Sequence, residues 1–246
     1  MVARSDPQWR LYERFVASLM SEKASDEITV IPNAHLVGAL SGADRQVDVL
    51  IDARLEENTS RRVIVDAKFR QRKVHVKDVE AFEGLMEDCR AHRGILVCAN
   101  GYTGAAQRRA QDTIAMRLLS PQELKSFDPT GWEPCLGRCA HERRTTSGWV
   151  LYDQPFGLAV GDSPLSIMVT GKCDGCHDFH VWCWECGYRF ALLGDEAENK
   201  CTCDRLWYTA VENEGTDSLE NPVPAVLLLL VPQGGLPLVV DRRPLR

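Results

Sequence analysis

The alternation of apolar and polar positions predicts one helix followed by several strands at the start of the chain. Apolar side chains recur at helical spacing across residues 7–22, which indicates an amphipathic helix. Residues 28–38 are predicted to form a strand and turn. Two further strands, at residues 46–52 and 62–68, flank the polar turn 56–60, so we expect them to form an antiparallel hairpin.

After residue 68 the apolar positions take up helical spacing. The remaining predicted elements are a helix over about 76–92, a strand over 94–98, a helix over 104–116 with Thr103 as its N-cap, a short strand at 118–119 and a helix from Pro121. The order α-β-β-β-α-β-α-β predicts an α/β fold, with a mixed sheet that is flanked by helices. We assign this domain to residues 1–126.

The composition changes after this domain. Residues 127–148 are rich in turn-forming residues and predict a linker or irregular structure. Residues 149–246 are predicted to form a small β-rich domain. Its strands include 149–152 and 165–169, and its end resembles a hairpin of residues 225–231 and 236–240.

The predicted hairpin of the first domain carries charged residues among apolar neighbours. Asp48 lies in its first strand, and Asp66 and Lys68 lie in its second. Residues i and i+2 of a strand share a face, so Asp66 and Lys68 are expected on one side, with Asp48 beside them if the strands pair. Two acids and a lysine on one sheet face could hold a divalent metal next to an attacking water.

These residues and their order resemble the PD-(D/E)xK nuclease superfamily, and more closely the Mrr-like restriction endonucleases. The segments that carry the resemblance, which covers about residues 9–124, are 12–19, 45–50, 65–70, 94–97 and 101–110. Val47 stands where the superfamily usually has Pro. Asp66 stands where many Mrr-like members have Gln, and Asp is the more ordinary metal ligand.

The resemblance implies a metal-dependent endonuclease that hydrolyses DNA phosphodiester bonds, in restriction or anti-phage defence. It implies Asp48, Asp66 and the Ala67 carbonyl oxygen as ligands of Mg²⁺ or Mn²⁺. Lys68 is implied to orient or deprotonate the attacking water, or to stabilise the charge on the reacting phosphate. Glu13, on the first helix, is implied to reach the metal directly or through water.

Charge changes this picture only locally. The formal net charge of −6 excludes a chain that is basic throughout, and residues 131–246 hold 10 Lys/Arg against 16 Asp/Glu. Residues 61–77, however, hold seven basic residues against one acid, and such a patch could engage phosphates. We expect Arg70, Arg72 and Lys73 to contact DNA, with Gln107 on the later helix facing the site or the DNA backbone.

The cysteine content indicates metal binding. The N-terminus is polar, without a secretory signal, and the longest apolar run, 225–231, is too short to span a bilayer, so we expect a soluble, cytoplasmic protein with no membrane partner. Ten cysteines in a reducing compartment then favour metal ligands or buried thiols over disulfides.

Six cysteines at close spacing predict a structural zinc module over about residues 172–208. They are Cys173, Cys176, Cys183, Cys186, Cys201 and Cys203. Pairing of the 183/186 and 201/203 cysteines resembles a zinc ribbon. Cys173 and Cys176 could then form a second metal site with His177 or His180, or could replace the 201/203 pair as ligands. Cys135-x3-Cys139 with His141 is a weaker pattern of the same kind. Thiols without metal are the alternative.

Other interpretations stay open at this point. Asp48 and Asp66 could be structural ions paired with Lys68 and Arg45. Aromatic residues near the zinc module, such as Trp182 and Trp207, could stack on bases, whereas acidic neighbours favour a protein partner. The whole chain could be a nuclease-fold adaptor in a larger complex, or a recombination or repair nuclease. Cleavage of both strands would make a homodimer plausible.

Overall fold

A five-stranded mixed sheet forms the centre of the first half of the computed structural model. The structure describes residues 6–55, 59–110, 113–125, 127, 132–141, 148–158, 166–216, 222–232 and 235–245. The elements of the first half are α1 (Gln8–Ser21), β1 (Ile28–Val37), β2 (Asp44–Ala53), a 3₁₀ turn (Thr59–Arg61), β3 (Val63–Lys68), α2 (Val76–Asp88), β4 (Arg93–Cys98), α3 (Gly104–Ala110), β5 (Ile114–Leu118) and α4 (Pro121–Lys125).

The strand order is β1-β2-β3-β4-β5, as one continuous sheet. β1, β2 and β3 are antiparallel, whereas β3, β4 and β5 are parallel. The β2–β3 hairpin and the mixed sheet predicted from the sequence are therefore confirmed. Strand alternation builds the two faces. Val49 and Val65 pack under α1, while Leu50 and Ile64 pack under α2.

Two helix ends differ from the prediction. α2 ends at Asp88 rather than near residue 92, because Arg90 adopts a left-handed backbone (φ 53°) and β4 begins at Arg93. α3 ends at Ala110, and residues 114–118, partly assigned to that helix from the sequence, form β5. Ile114 pairs with Gly94 of β4, so tertiary pairing overrides the local helical spacing.

The second half is formed almost entirely by antiparallel strands. Its elements are β6 (Trp132–Pro134), α5 (Arg138–His141), β7 (Trp149–Tyr152), β8 (Phe156–Leu158), β9 (Ser166–Cys173), β10 (Phe179–Cys183), β11 (Arg189–Leu192), β12 (Glu198–Lys200), β13 (Leu206–Thr216), β14 (Pro222–Val231) and β15 (Leu238–Pro244). One sheet has the order β11-β10-β9-β7-β6, with β8 on β9, and another has the order β12-β13-β14-β15.

Part of the predicted linker belongs to this β-rich half. Residues 132–141 form β6 and α5 rather than irregular structure, since Trp132 is buried and Glu133 pairs with Val150 of β7. The apolar run 225–231 forms most of β14, and its side chains enter two apolar clusters, one on each face. No helix in the described ranges is long and apolar enough to cross a membrane.

A buried network of charges joins the two halves. Lys172 of β9 has no exposed surface, and its Nζ lies 2.6 Å from Asp241 Oδ2 and 3.4 Å from Asp153 Oδ2. It also contacts the Thr29 hydroxyl of β1. Arg54, just after β2, donates to the Thr170 hydroxyl at 3.0 Å. Buried charges tolerate little displacement of their partners, so this network fixes how the halves meet.

Candidate functional site

The β2–β3 hairpin brings the predicted acids together. Val49 pairs with Val65, and extension of that register by one residue places Asp48 beside Asp66. Asp48 Oδ2 accepts a hydrogen bond from Ala67 N–H at 2.7 Å. Lys68 Nζ forms an ion pair with Asp66, and both side chains are about four-fifths buried. Asp48, Asp66 and Lys68 therefore form one cluster at the end of the hairpin.

Arg45 is not part of this cluster. Its Nε lies 2.7 Å from Asp88 Oδ2, at the C-terminal end of α2. The interpretation of the acids as structural ions, with Lys68 and Arg45 as their cations, therefore loses one of its two cations. One ammonium faces two acidic side chains, which leaves the cluster with an excess of negative charge.

Glu13 of α1 adds a third acidic side chain. It lines the same crevice as Asp48, together with Asn33 of β1. Burial, followed by the charge of the neighbouring Asp48 carboxylate, raises the pKa of Glu13 to about 8. Burial likewise raises the pKa of Asp48 to about 7, with the neighbouring Asp66 as the next cause. Carboxyls crowded in this way hold protons until a cation replaces them.

The donor set of the cluster fits a hard divalent cation. Carboxylate oxygens are the ligands that Mg²⁺ and Mn²⁺ favour. The Ala67 carbonyl oxygen accepts one hydrogen bond, from Phe69 N–H at 3.1 Å, and a carbonyl has a second lone pair for a cation. Asp48, Asp66 and Ala67 could thus hold an ion, and Glu13 lines the crevice beside Asp48.

The predicted DNA-contacting residues differ in their surroundings. Arg70 and Arg72 are half exposed and both pair with Asp78 at the start of α2, at 3.1 and 2.7 Å. The Arg72 guanidinium holds the pKa of Asp78 well below its usual range. Lys73 is exposed, and so is Gln107 on α3. These four side chains stay predictions as DNA contacts.

Another basic residue of the 61–77 run is unavailable to a ligand. Arg62 is buried, and its Nε and a terminal guanidinium nitrogen donate to Asp52 Oδ2 at 2.9 and 2.7 Å. Asp52 is also buried. The positive patch is therefore smaller than the sequence indicates.

Two groups of four cysteines lie among the described residues. Cluster I consists of Cys135, Cys139, Cys173 and Cys176, and cluster II consists of Cys183, Cys186, Cys201 and Cys203. All eight are free thiols. Cluster II is the pairing expected for a zinc ribbon. Cluster I supplies the partners that Cys173 and Cys176 needed, and they come from the predicted linker.

The histidines considered as partners of Cys173 and Cys176 lie outside both groups of cysteines. His180 is buried with both ring nitrogens engaged: Nδ1 lies 3.0 Å from Asp178 O, and Nε2 accepts from Leu136 N–H at 2.9 Å. His177 packs edge-on against His35. The C-x3-C spacing of Cys135 and Cys139 was the sequence feature that pointed to these ligands. A single short spacing, however, does not show which cysteines elsewhere in the sequence complete the site.

The geometry of both clusters fits zinc. Sulfurs about 2.3 Å from a tetrahedral zinc ion lie about 3.8 Å apart. In cluster I the Cys135–Cys176 and Cys139–Cys173 sulfurs lie 3.6 and 3.8 Å apart, and in cluster II the Cys183–Cys203 sulfurs lie 3.8 Å apart. The Cys201–Cys203 sulfurs, at 2.8 Å, must separate by about 1 Å in such a tetrahedron.

The two clusters are built around the same knuckle turn. Gly187 follows the second cysteine of Cys183-x2-Cys186 with φ 71°, and its N–H donates to Cys183 O at 2.8 Å. His177 takes the equivalent place after Cys176, with φ 62° and a 3.0 Å bond to Cys173 O. Glycine is the residue that adopts this backbone at least cost, so only the second knuckle is conspicuous in the sequence.

Position 148, next to cluster I, leaves no room for a side chain. A Cβ on Gly148 would lie 2.3 Å from Cys173 Sγ and 2.6 Å from Cys139 Sγ. The N–H groups of Gly137 and Gly175 donate to Cys135 and Cys173 sulfurs at 3.2 and 3.3 Å. Such N–H···S bonds stabilise negative charge on sulfur, as a four-thiolate zinc site requires.

Aromatic side chains near cluster II are only partly available for stacking. Trp207 is fully buried in the core, so it is not a candidate for base contact. Trp182 and Trp184 pack at 5.6 Å, and the Arg189 guanidinium covers the Trp182 ring at 3.9 Å. Trp184 is about half exposed. The ligand of this surface stays open between nucleic acid and protein.

A cavity also lies away from the carboxylates. It has a volume of about 260 Å³ and lies between the β1–β2 turn, the end of α2 and the strands β14 and β15. Asp88, one of its lining residues, is occupied by hydrogen bonds from Leu40, Ser41 and Arg45. The candidate site is instead the place where the carboxyls converge.

Known proteins give one strong likeness. A family model described as "Restriction endonuclease" (Mrr_cat) matches residues 6–127, a range that holds α1 to α4 and every residue of the carboxylate cluster. A solved crystal structure of a protein of unknown function, AF1548, aligns at 16% identity over 50% of this chain and 68% of its own, with a TM-score of 0.37. No curated protein matches the chain.

Proposed function

Because residues 6–127 belong to the Mrr-like restriction endonuclease family, we propose that this chain is a divalent-metal-dependent endonuclease that hydrolyses DNA phosphodiester bonds. The observation that carries the proposal is the Asp48–Asp66–Lys68 cluster on adjacent strands, where two acids face one ammonium. Restriction or anti-phage defence is the proposed setting, and DNA is the proposed substrate.

Asp48, Asp66 and the Ala67 carbonyl oxygen would hold the ion, which is Mg²⁺ or Mn²⁺ in this proposal. A bound divalent cation neutralises phosphodiester charge and lowers the pKa of water. The chain's own contribution is orientation: Ala67 N–H fixes the Asp48 carboxylate at 2.7 Å, and strand pairing fixes Asp66 beside it. Preorganised ligands lose little entropy when the substrate arrives.

Lys68 acts next to the acids rather than as a ligand. Its ammonium can donate a hydrogen bond to the oxygen of the attacking water and so orient that water. As a cation it also stabilises the negative charge that develops on the phosphoryl oxygens. The ion pair with Asp66 holds Nζ in place beside the reacting groups.

DNA would approach along the exposed side of the basic segment. Arg70, Arg72 and Lys73 follow β3 directly in the sequence, so all three lie close to Lys68 along the chain. Phosphate contacts of this kind position the duplex without reading its sequence. A homodimer would supply the two centres needed to cut both strands.

Cleavage of supercoiled plasmid with Mg²⁺ or Mn²⁺ tests the proposal. We expect the wild-type chain to yield nicked or linear DNA and Asp66→Ala to yield neither. Asp44→Ala is the control, because Asp44 begins β2, the strand that carries Asp48, but is exposed and pairs with His35. Equal cleavage by wild type and Asp66→Ala would refute the assigned site. DNA binding without any cleavage would instead favour the adaptor function.

A further inference from the structure

Asp174 is the feature of cluster I that its metal-binding geometry does not explain. It lies inside the Cys173-x2-Cys176 knuckle, yet its carboxylate points into the first half of the chain and is almost fully buried. Oδ2 accepts from Arg14 Nε of α1 at 2.8 Å, and Oδ1 accepts from Trp149 N–H at 2.8 Å. Arg10 adds a longer contact at 3.7 Å.

The backbone of Asp174 holds a second element of the first half. Its carbonyl oxygen accepts from Asn33 Nδ2 of β1 at 2.7 Å. The Asn33 side chain is held from the other side as well, where Oδ1 accepts from Gln46 Nε2 of β2 at 2.5 Å. Asn33 thus connects the knuckle to β2 of the β2–β3 hairpin through two hydrogen bonds.

Both partners of Asp174 stand next to the candidate catalytic acids. Arg14 follows Glu13 on α1. Asn33 lies opposite Asp48, since the flanking pairs are Pro32 with Val49 and Ala34 with Val47. Asp174 itself lines the crevice that Glu13 and Asp48 share. A shift of the knuckle would therefore move α1, which carries Glu13, and β1, which pairs with the strand that carries Asp48.

Asn33 adopts a conformation that needs such support. Its φ of 52° lies in the left-handed region, which is unusual for a non-glycine residue inside a strand. Strained residues of this kind persist where their surroundings hold them, and they concentrate at functional sites. The two side-chain hydrogen bonds of Asn33 are the contacts that hold it.

The strands around cluster I also hold α1. The Arg14 guanidinium lies 5.9 Å from the Trp132 ring and 5.8 Å from the Trp149 ring. Trp132 Nε1 donates to Ser18 Oγ of α1 at 2.7 Å. Trp132 belongs to β6, which leads to Cys135, and Trp149 begins β7 next to Gly148. Cluster I therefore links β6 and β7, the strands whose tryptophans contact α1.

Resting on the nuclease function proposed above, we propose that Asp174 is a positioning residue that couples zinc binding at cluster I to the geometry of the Asp48, Asp66 and Glu13 carboxyls. Cluster I is then required for divalent-ion binding at the nuclease site. Cluster II, whose knuckle makes no such contact with α1 or β1 among the described residues, is required only for its own part of the fold.

A matched pair of amide substitutions tests this coupling. Asp174→Asn and Glu185→Gln each remove one charge from inside a knuckle, and Glu185 pairs with Arg205 of the second half instead. We expect both variants to bind two zinc ions per chain, as measured by elemental analysis. Titration calorimetry with Mn²⁺ should then show at least a tenfold loss of affinity for Asp174→Asn and no change for Glu185→Gln.

Asn33→Gly serves as a second variant if Asp174→Asn does not fold. Glycine accepts the left-handed backbone, so the chain keeps its fold while the tether to Asp174 is lost. We expect the same direction of change in Mn²⁺ affinity, with at least a threefold loss. The kcat of plasmid cleavage should fall in parallel, while KM for DNA stays within about twofold.

The outcomes separate the coupling from the nuclease function. Wild-type Mn²⁺ affinity in a folded, zinc-loaded Asp174→Asn or Asn33→Gly would overturn the coupling, whatever the cleavage result. A wild-type chain that binds Mn²⁺ but cleaves no DNA would overturn the nuclease function alone, since the coupling is read from affinities. Equal losses of Mn²⁺ affinity in Asp174→Asn and Glu185→Gln would also overturn the coupling.

Discussion

At the scale of single residues, the candidate centre depends on three carboxyls and one ammonium. Asp48 and Asp66 are adjacent through strand pairing, Asp66 pairs with Lys68, and Glu13 of α1 shares a crevice with Asp48. Sequence spacing predicts that Asp66 and Lys68 share a face, with Asp48 beside them, because strand alternation is a local rule. It missed Asn33 and Asp174, whose roles depend on contacts across more than 140 residues.

Replacement of Lys68 by Ala should separate chemistry from metal binding. Lys68 is a cation and not a ligand, so Mn²⁺ affinity should stay the same or rise slightly. The single-turnover cleavage rate should fall by about 10²–10⁴-fold, as expected for loss of a group that stabilises the transition state. Lys125→Ala, on the exposed surface of α4, is the control. A cleavage rate within threefold of wild type would contradict the role of Lys68.

The stabilisation of the protein by Mg²⁺ should grow with pH. Without metal, the raised pKa values of Asp48 (about 7) and Glu13 (about 8) keep both carboxyls protonated at pH 6. The folded state then binds more protons than the unfolded state, so its stability falls as pH rises through this range. Mg²⁺ requires ionised ligands and competes with protons less effectively at pH 6 than at pH 8.

Thermal melts at pH 6, 7 and 8, with MgCl₂ and with NaCl of equal ionic strength, measure this effect. The rise in Tm caused by Mg²⁺ should be smallest at pH 6 and largest at pH 8. Asp48→Asn should show a smaller rise at every pH. A constant rise in the wild-type protein across the three pH values would be inconsistent with the raised pKa values.

At the scale of elements, the β2–β3 hairpin is anchored at its far end by a buried ion pair. Arg62 and Asp52 are each at most 5% exposed, and Arg62 also donates to Cys89 O at the end of α2, at 3.1 Å. The pair joins the hairpin to the helix that packs on it. It therefore holds the sheet register that aligns Asp48 with Asp66.

Arg62→Met should lower the free energy of unfolding by about 3–5 kcal/mol, because Asp52 keeps its charge in a buried place without its cation. Urea denaturation measures this change. The double variant Arg62→Met with Asp52→Leu should recover part of the loss, since no unpaired charge remains. A loss below 1 kcal/mol in the single variant would show that Asp52 reaches water.

The elements also show where sequence patterns stop being informative. The β2–β3 hairpin and the order of the helices along the first half followed from periodicity and turn residues. β5 did not, because residues 114–118 become a strand through pairing with β4. β6 and α5 were hidden in a stretch rich in turn residues, and only the fold shows that Cys135 and Cys139 face the knuckle of β9.

At the scale of the whole molecule, the two halves are expected to unfold together. The buried charges of Lys172, Asp153, Asp241 and Arg54 lie where β1 and β2 meet the second half. Separation of the halves would expose or unpair all of them. The division into domains at residue 126 and residue 149 stays a prediction, and this interface indicates that the two parts act as one unit.

Differential scanning calorimetry tests this cooperativity. The wild-type chain with zinc should unfold in one transition. Lys172→Met leaves two buried aspartates with fewer cations, so it should lower stability by about 3–5 kcal/mol and split the transition in two. Lys200→Met, which removes an exposed pair with Asp204, should leave the single transition and the stability close to those of the wild type. Two transitions in the wild-type chain would contradict the expected coupling.

The most direct test of the proposed centre is the location of Mn²⁺ by anomalous diffraction from soaked crystals. We predict one strong anomalous peak within coordination distance of both the Asp48 and the Asp66 carboxylates, and no such peak in Asp66→Asn. Manganese found only elsewhere in the wild-type protein, under conditions in which it cleaves DNA, would contradict the assignment of this cluster as the nuclease centre.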